Sequence, residues 1–364
     1  MQGVFMTNSK RIIGLMSGTS LDGLDICCAD FSFDSGEYSY NIVATQTFNY
    51  PQDWVEKLRF AVNSNVEEVA QMEIDFAILM SKLTNIFILE KGLKDSIDFV
   101  CSHGHTIFHQ PENNITVQVG DGQILSDELG LKVINNFRIG DVNLGGQGAP
   151  LVPIGDKLLF SEYQACLNLG GISNISFEND GDRIAFDIAP ANIPLNYLMN
   201  ERFKLNYDKN GEMASSGKII QSLYDELNQL SYFEKTPPKS IGFEWIEQNV
   251  FALLQRYKEE PIANVLHTIV KQETFQINET CKEFNLSSVL ITGGGINNLF
   301  FMECLRKDTT TVFVVPDEEL VDFKEALIFG FLGFLKDRGE VNILSSVTGA
   351  TSDSCGGKTY IPST

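Results

Sequence analysis

Positive charge is scarce in this 364-residue chain: 27 Lys and Arg stand against 48 Asp and Glu, a formal net charge of −21. That balance argues against nucleic acid or an anionic membrane as a partner. Any anionic ligand must then be held by local donors or a metal, because the global field repels it. Apolar runs are short, and none approaches the ~20 residues of a membrane span. Residues 1–11 also lack the apolar region of a signal peptide. The seven cysteines form no C-x-x-C pair, and Cys27, Cys28, Cys101 and Cys166 sit within apolar runs. This is the pattern of reduced, buried thiols in a cytoplasmic protein. Low-complexity tracts and long linkers are missing too. With 43% hydrophobic and 21% charged residues the composition is that of a globular enzyme. The length exceeds what one core usually holds, so two domains are expected.

What is there in quantity is glycine at turns. The run Ile12-Ile13-Gly14-Leu15-Met16-Ser17-Gly18-Thr19-Ser20-Leu21-Asp22-Gly23-Leu24-Asp25-Ile26 reads as strand, tight turn and returning strand. So does Cys166-Leu167-Asn168-Leu169-Gly170-Gly171-Ile172-Ser173-Asn174-Ile175-Ser176. Glycine lets backbone approach a phosphate closely, and turn N–H groups make an anion-binding concavity. Asp22 would repel bare phosphates but suits a phosphate-bound Mg²⁺. Two such hairpins, each opening a β-rich half, point to a nucleotide triphosphate.

The order of elements repeats. After the first hairpin come a strand over 41–48, a helix over 66–91 and strands over 97–101, 115–119 and 133–137. The second half gives a meander over 166–169, 172–177 and 183–188. Helices follow, over 218–230, 243–257 and 263–284 among others. A strand over 288–292, the turn Gly293-Gly294-Gly295, a strand over 311–315 and a helix over 325–336 complete it. A duplicated meander-plus-α/β unit is the actin-like, ribonuclease-H-like ATPase layout, with mixed sheets, flanking helices and a nucleotide in an interdomain cleft. The expected domains are 1–134 with about 326–364, and 135–325.

The stretch Gly-Leu-Met-Ser-Gly-Thr-Ser-Leu-Asp-Gly-Leu-Asp over 14–25 resembles the opening signature of the anhydro-N-acetylmuramic acid kinases, within the sugar kinase/actin/heat-shock ATPase superfamily. The resemblance continues at Ser102-His103-Gly104, Arg138 with Asp141, and Gly145-Gly146-Gln147-Gly148-Ala149-Pro150-Leu151-Val152-Pro153. It runs through 168–174, Phe186-Asp187, 293–295 and Glu325-Ala326. It implies ATP- and Mg²⁺-dependent phosphorylation of 1,6-anhydro-N-acetylmuramic acid, a cell-wall turnover sugar, with water opening the anhydro bridge. The product would be N-acetylmuramic acid 6-phosphate, and a homodimer is implied. The nucleotide would be held by Gly18, Thr19, Ser20, Asp22, Gly23, Gly170, Gly171, Asn174, Gly293, Gly294 and Gly295, with Asp22 on the metal. His103, Arg138, Asp141, Gln147 and Glu325 would face the sugar. The family commonly has D-T-G-P-G-N where this chain has Asp187-Ile188-Ala189-Pro190-Ala191-Asn192. His105 stands where Gln is usual, and Asn136 where Asp is common.

Each residue also has a plainer reading. Asp187 is either the general base for water or a capping residue of the following helix. Arg138 suits the lactyl carboxylate by its fork geometry, or forms a surface ion pair. Asp141 hydrogen-bonds within a turn or orients Arg138. Residues 145–150 form a structural turn, or Gln147 offers a donor and an acceptor to the sugar. Glu325 is explained cheaply by a helix N-terminus. His103, His105 and His109 invite a zinc reading, but a sugar hydrogen bond from His103 and packing of His109 are the simpler assignments. The rivals in function are another sugar kinase of this fold, an actin-like or chaperone-type ATPase, and a histidine-based metalloenzyme.

Overall fold

The computed structural model describes residues 9–18 and 21–363. Its strands are β1 (Ser9–Ser17), β2 (Gly23–Asp34), β3 (Glu37–Asn49), β4 (Phe99–Gln110), β5 (Ile115–Val119) and β6 (Val133–Asn135). There follow β7 (Ala165–Leu169), β8 (Ser173–Asn179), β9 (Asp182–Ala189), β10 (Ser288–Thr292), β11 (Val312–Val314) and β12 (Lys358–Tyr360). They form two sheets, ordered β12-β6-β4-β1-β2-β3 with β5 on β4, and β11-β10-β7-β8-β9. In each, three antiparallel strands come first and the next strand returns parallel to the first of them: β4 beside β1, and β10 beside β7. A parallel return needs a crossover. The helix Val66–Glu90 supplies it in the first sheet, and the long helical segment ending in Ile262–Glu283 in the second.

The chain divides into two units, Met1–Leu159 with Phe323–Thr364, and Phe160–Asp322. The first boundary therefore lies beyond the expected 134, and the contacts of 135–159 explain why. Asp141 accepts hydrogen bonds from Thr348 Oγ1 and Gly148 N, both at 2.7 Å, and Gln147 N donates to Thr348 O. Asp156 pairs with Lys324 at 2.7 Å, both nearly inaccessible at 4% and 5% exposure. These ties fasten the helices Arg138–Asn143 and Pro153–Leu159, neither of which the pattern had announced, to the C-terminal segment.

The first unit packs Ile13, Leu15 and Leu24 of its sheet against Phe76, Ala77 and Met80 of Val66–Glu90, a helix closed by a capping box between Asn65 and Glu68. The helix Glu318–Asp337 also lies in this unit from Phe323 on. A Cβ on Gly14 would land on the Ala326 carbonyl, so glycine lets helix and strand backbones meet. The second unit packs Leu167, Leu169, Ile175 and Ile291 against Ile269, Val270 and Ile277 of Ile262–Glu283.

β4 and the helix expected over 325–336 outrun their expected bounds. β4 continues to Gln110 because β5 pairs with it, His105 opposite Val119 and His109 opposite Thr116. The helix expected over 325–336 begins at Glu318, with Asp317 Oδ1 accepting from Leu320 N at 2.8 Å, so Glu325 lies two turns inside it. The helix-terminus explanation of Glu325 is thereby removed.

Candidate active site

In the second unit the register lines up four polar residues. Thr292 of β10 is opposite Asn168 of β7, Asn168 opposite Asn174 of β8, and Asn174 opposite Asp187 of β9. Directly opposed residues share a face, so Thr292, Asn168, Asn174 and Asp187 make one polar row across the strands. Asp187 sits inside β9, two residues before its end, and the following helix Asn192–Phe203 has Ala191 at its cap. Capping is therefore not the role of Asp187. Its Oδ2 accepts from Ile241 N at 2.8 Å and its amide donates to Lys239 O, while Oδ1 has no protein partner among the described residues. Burial pushes its carboxyl up to about 6, against the pull of the Ile241 amide. A half-buried carboxylate with one free oxygen and a near-neutral pKa has the properties of a general base.

The two glycine turns converge at the end of this row. Asn192 Nδ2 donates to Gly170 O at 2.7 Å, Ile193 N donates to Gly171 O, and a Cβ on Gly295 would press on Asn192 Nδ2. Gly293 has φ 92° and Gly295 lies against Leu169, so the protein's own packing demands both. Gly170 and Gly294 differ. Neither has a positive φ; a Cβ on Gly294 would meet nothing within 4 Å, and one on Gly170 would meet only ordinary contacts from 3.4 Å. The fold does not require glycine there, whereas a ligand lying on the backbone would. The residues present thus fit a nucleotide.

In the first unit the candidates gather around Arg138. Its Nε and Nη2 donate to His103 Nε2 at 3.2 and 2.8 Å, and its Nη1 donates to Gly148 O at 2.6 Å. His103 Nδ1 donates to Gly104 O at 2.9 Å, which fixes the neutral tautomer with Nε2 as acceptor. Burial, with Arg138 beside it, holds the ring well below the usual histidine range. Both ring nitrogens are engaged, so His103 orients Arg138; the expected hydrogen bond from His103 to the sugar is not available. A guanidinium has five N–H donors and three are used here, which leaves two. Burial lowers the guanidinium to about 10, opposed by Glu325, so it stays charged at neutral pH.

Asp141 is fully buried with one oxygen on Thr348 and the other on Gly148, which makes it the anchor of the 145–148 loop rather than a sugar contact. The Gln147 side chain is exposed while its backbone is tied to Thr348. Glu325 is solvent-accessible yet densely surrounded; desolvation raises its carboxyl, opposed by Lys324 and Arg138 and aided by Asp25 and Asp156. Asp22 is exposed, at the mouth of β2. Gly18 follows β1, Gly23 faces the Phe48 carbonyl and is glycine for that reason, and Thr19 and Ser20 lie outside the described residues.

The three histidines of the H-x-H-x-x-x-H run serve three separate partners. His105 Nδ1 meets Ser17 Oγ at 3.0 Å and His109 Nδ1 meets Thr116 Oγ1 at 3.1 Å. Among the described residues no group of three His, Cys, Asp or Glu is placed to hold a metal. Tyr50 donates to Ser17 at 2.7 Å, so Ser17 passes its own proton to His105, whose ring burial pushes down to about 4. This buried chain behind the first turn was missed from sequence because its members are 33 and 88 residues apart.

A model of the family described as anhydro-N-acetylmuramic acid kinase matches residues 10–362. The anhydro-N-acetylmuramic acid kinase of Francisella tularensis subsp. novicida is 32% identical over 375 aligned residues, covering 95% of this chain and 97% of its own. That of Clostridioides difficile is 33% identical over 363, covering 93% and 95%. Among solved structures, (R)-2-hydroxyglutaryl-CoA dehydratase component A of Acidaminococcus fermentans aligns at TM-score 0.45 with 11% identity, over 90% of this chain and 99% of that one.

Proposed function

Because the chain belongs to the anhydro-N-acetylmuramic acid kinase family of ATP-dependent sugar kinases, we propose that it phosphorylates O6 of 1,6-anhydro-N-acetylmuramic acid while water opens the anhydro bridge. The carrying observation is Asp187, a half-buried carboxylate raised to about 6 with Oδ1 free. In this reading Oδ1 accepts a proton from water as its oxygen bonds to C1. The C1–O6 bond breaks and O6 takes the phosphoryl group, giving N-acetylmuramic acid 6-phosphate. Bound ATP with Mg²⁺ supplies that group and the neutralising charge. The open backbone at Gly170 and Gly294, with Gly171, Asn174, Gly293 and Gly295, would hold the nucleotide. Gly18, Thr19, Ser20 and Gly23 belong to the same assignment, with Asp22 as metal ligand.

Arg138, oriented by His103 and Gly148, keeps two N–H groups for the lactyl carboxylate, matching bidentate recognition. Gln147 and Glu325 are the further sugar contacts of this proposal, and Asp141 supports them through the loop it anchors. A homodimer and a cytoplasmic setting are carried from the family resemblance; six buried cysteines outside any disulfide, among the described residues, support the latter. No helix among the described residues is long and apolar enough to cross a membrane. Incubation with ATP, Mg²⁺ and the anhydro sugar, followed by mass measurement, tests the reaction. A gain of phosphate and water together is expected. Phosphate without water would make the protein an ordinary kinase and remove the task of Asp187.

A further inference from the structure

Asp187 sits on β9, the last strand of its sheet, so one edge of it faces no further strand among the described residues. A segment without regular structure covers the chain there. It runs over 229–242, between the helix Gln221–Asn228 and the helix entered at Phe243. Three of its residues close on Asp187. Tyr232 Oη donates to Asp187 O at 2.6 Å, the Asp187 amide donates to Lys239 O at 3.1 Å, and Ile241 N donates to Asp187 Oδ2 at 2.8 Å. The same segment thus holds both the backbone and the carboxylate of the candidate base, and Tyr232 is the member that does so through its side chain.

Tyr232 is an odd choice if packing alone were at stake. It is 1% exposed in the core of the second unit, its ring tilted against Trp245 at 5.2 Å and edge-on to Phe233 at 5.8 Å. Of the largest fully buried side chains among the described residues, ten are phenylalanine and one is Ile12, so Tyr232 alone of them carries a polar atom. A buried phenol must find a partner, because an unpaired hydroxyl is costly. Here the partner is the backbone of Asp187. Burial, with Asp187 beside it, raises the hydroxyl far above neutrality, so it keeps its proton and its bond. The charged groups facing it are Lys239 and Lys235, whose ammonium groups lie 4.9 and 5.8 Å from the ring centre, with Glu283 acting on Lys239.

We propose that Tyr232 is a positioning residue, whose hydroxyl ties the 229–242 segment to Asp187 and so keeps the Ile241 amide on Oδ2 and leaves Oδ1 for the water. The inference rests on Asp187 being the base. It also has a sign. The Ile241 amide favours the charged carboxylate, against the effect of burial. Slackening the segment weakens that bond, so the carboxyl should hold its proton to higher pH.

Titration of the Asp187 carboxyl by ¹³C NMR, assigned with Asp187→Asn, and the pH profile of kcat test this on the full chain. Tyr232→Phe keeps the ring and removes the hydroxyl. The wild-type carboxyl should titrate at about 6. In Tyr232→Phe the midpoint should rise by about half a pH unit or more as the stabilising amide contact loosens. The acid limb of kcat should rise with it, and the plateau should fall about three- to tenfold with both KM values little changed, since small misplacements of catalytic groups are felt in kcat. An unmoved midpoint overturns the proposal, whether Tm falls, the mark of a packing role, or kcat falls, the mark of damage elsewhere. So does a Tyr232→Phe chain that does not fold, because the hydroxyl then serves the core. A midpoint that moves while kcat and its profile stay put overturns it where Asp187→Asn is inactive. Near-normal turnover in Asp187→Asn would instead remove the base, and the titration then judges the hold of Tyr232 on the carboxyl by itself.

Discussion

Strand for strand the two sheets correspond, β6-β4-β1-β2-β3 in one and β11-β10-β7-β8-β9 in the other, but the ends of their first strands are equipped differently. β1 ends on Ser17, clasped by the side chains of Tyr50 and His105. β7 ends on Leu169, packed beneath Gly293 and Gly295, and the turn after it is held by carbonyls accepting from Asn192 and Ile193. The same contrast extends outward. The first unit gathers Arg138, oriented by His103, and Glu325, charged groups beside one another. The second offers bare backbone at Gly170 and Gly294 beside one carboxylate. On the proposal above, the first unit adds side chains for the sugar beside its own glycine turn, and the second sets open backbone for the triphosphate beside a single carboxylate.

The contrast breaks most visibly at Asp187. Asp187→Asn keeps volume and the Ile241 contact but removes the base, so kcat should fall by ~10²–10⁴ with sugar and ATP still bound. The carboxylate form is required, so the wild-type rate should decline as pH falls through about 6, where the raised Asp187 carboxyl takes up its proton. A flat profile between pH 5 and 8, measured at saturating substrates, would place the base elsewhere.

Asp22→Asn comes next, with a loss of kcat on the order of 10² because a metal's electrostatic contribution is worth several kcal/mol. Its exposure predicts an unchanged Tm. Wild-type turnover would take Asp22 out of the mechanism.

Arg138→Ala tests the side-chain half of the contrast. A charge-assisted contact contributes ~1.5–3 kcal/mol, so KM for the sugar should rise roughly ten- to hundredfold, and KM for ATP far less. Equal shifts in the two constants would show that Arg138 chiefly holds the 145–148 loop through Gly148.

The smallest effect is also the most discriminating. Gly294→Ala meets nothing within 4 Å and needs no special φ, so its Tm should hold or rise while KM for ATP increases a few-fold. Gly14→Ala should do the reverse, lowering Tm as its Cβ meets the Ala326 carbonyl, a clash costing about 1–3 kcal/mol or more. If both glycines behave alike, Gly294 is structural and the backbone half of the contrast is wrong.

Much of this was legible in the residues. Both meanders, both glycine hairpins and the helix Val66–Glu90 follow from local pattern, and the family resemblance singled out Asp187 and Arg138 as candidates. The start of the helix Glu318–Asp337 was legible too, in Pro316-Asp317-Glu318-Glu319 with Asp317 as cap, although the apolar run from Ala326 gives the stronger periodic signal. Glu273 falls at three- and four-residue spacing from Val270, Ile269 and Ile277, so periodicity marks it as buried although it carries a carboxyl group. The role of Asp141 is invisible locally, because Thr348 is 207 residues away. His103 was misread for a related reason: which way each ring nitrogen is spent depends on where Arg138 lands.

The division of the chain has a bearing on its synthesis. Phe160–Asp322 is contiguous, whereas the unit around it is closed by Phe323–Thr364, which brings the helix that rests on Gly14 and the strand β12 that pairs with β6. Domains generally mature in the order in which they leave the ribosome. Here that order is inverted: the inserted unit is complete in covalent chain while β1 still waits for its covering helix. The N-terminal sheet must therefore be kept from wrong partners while the inserted residues are translated, and a nascent chain that has emerged from the ribosome through residue 322 holds one unit complete in chain and one not.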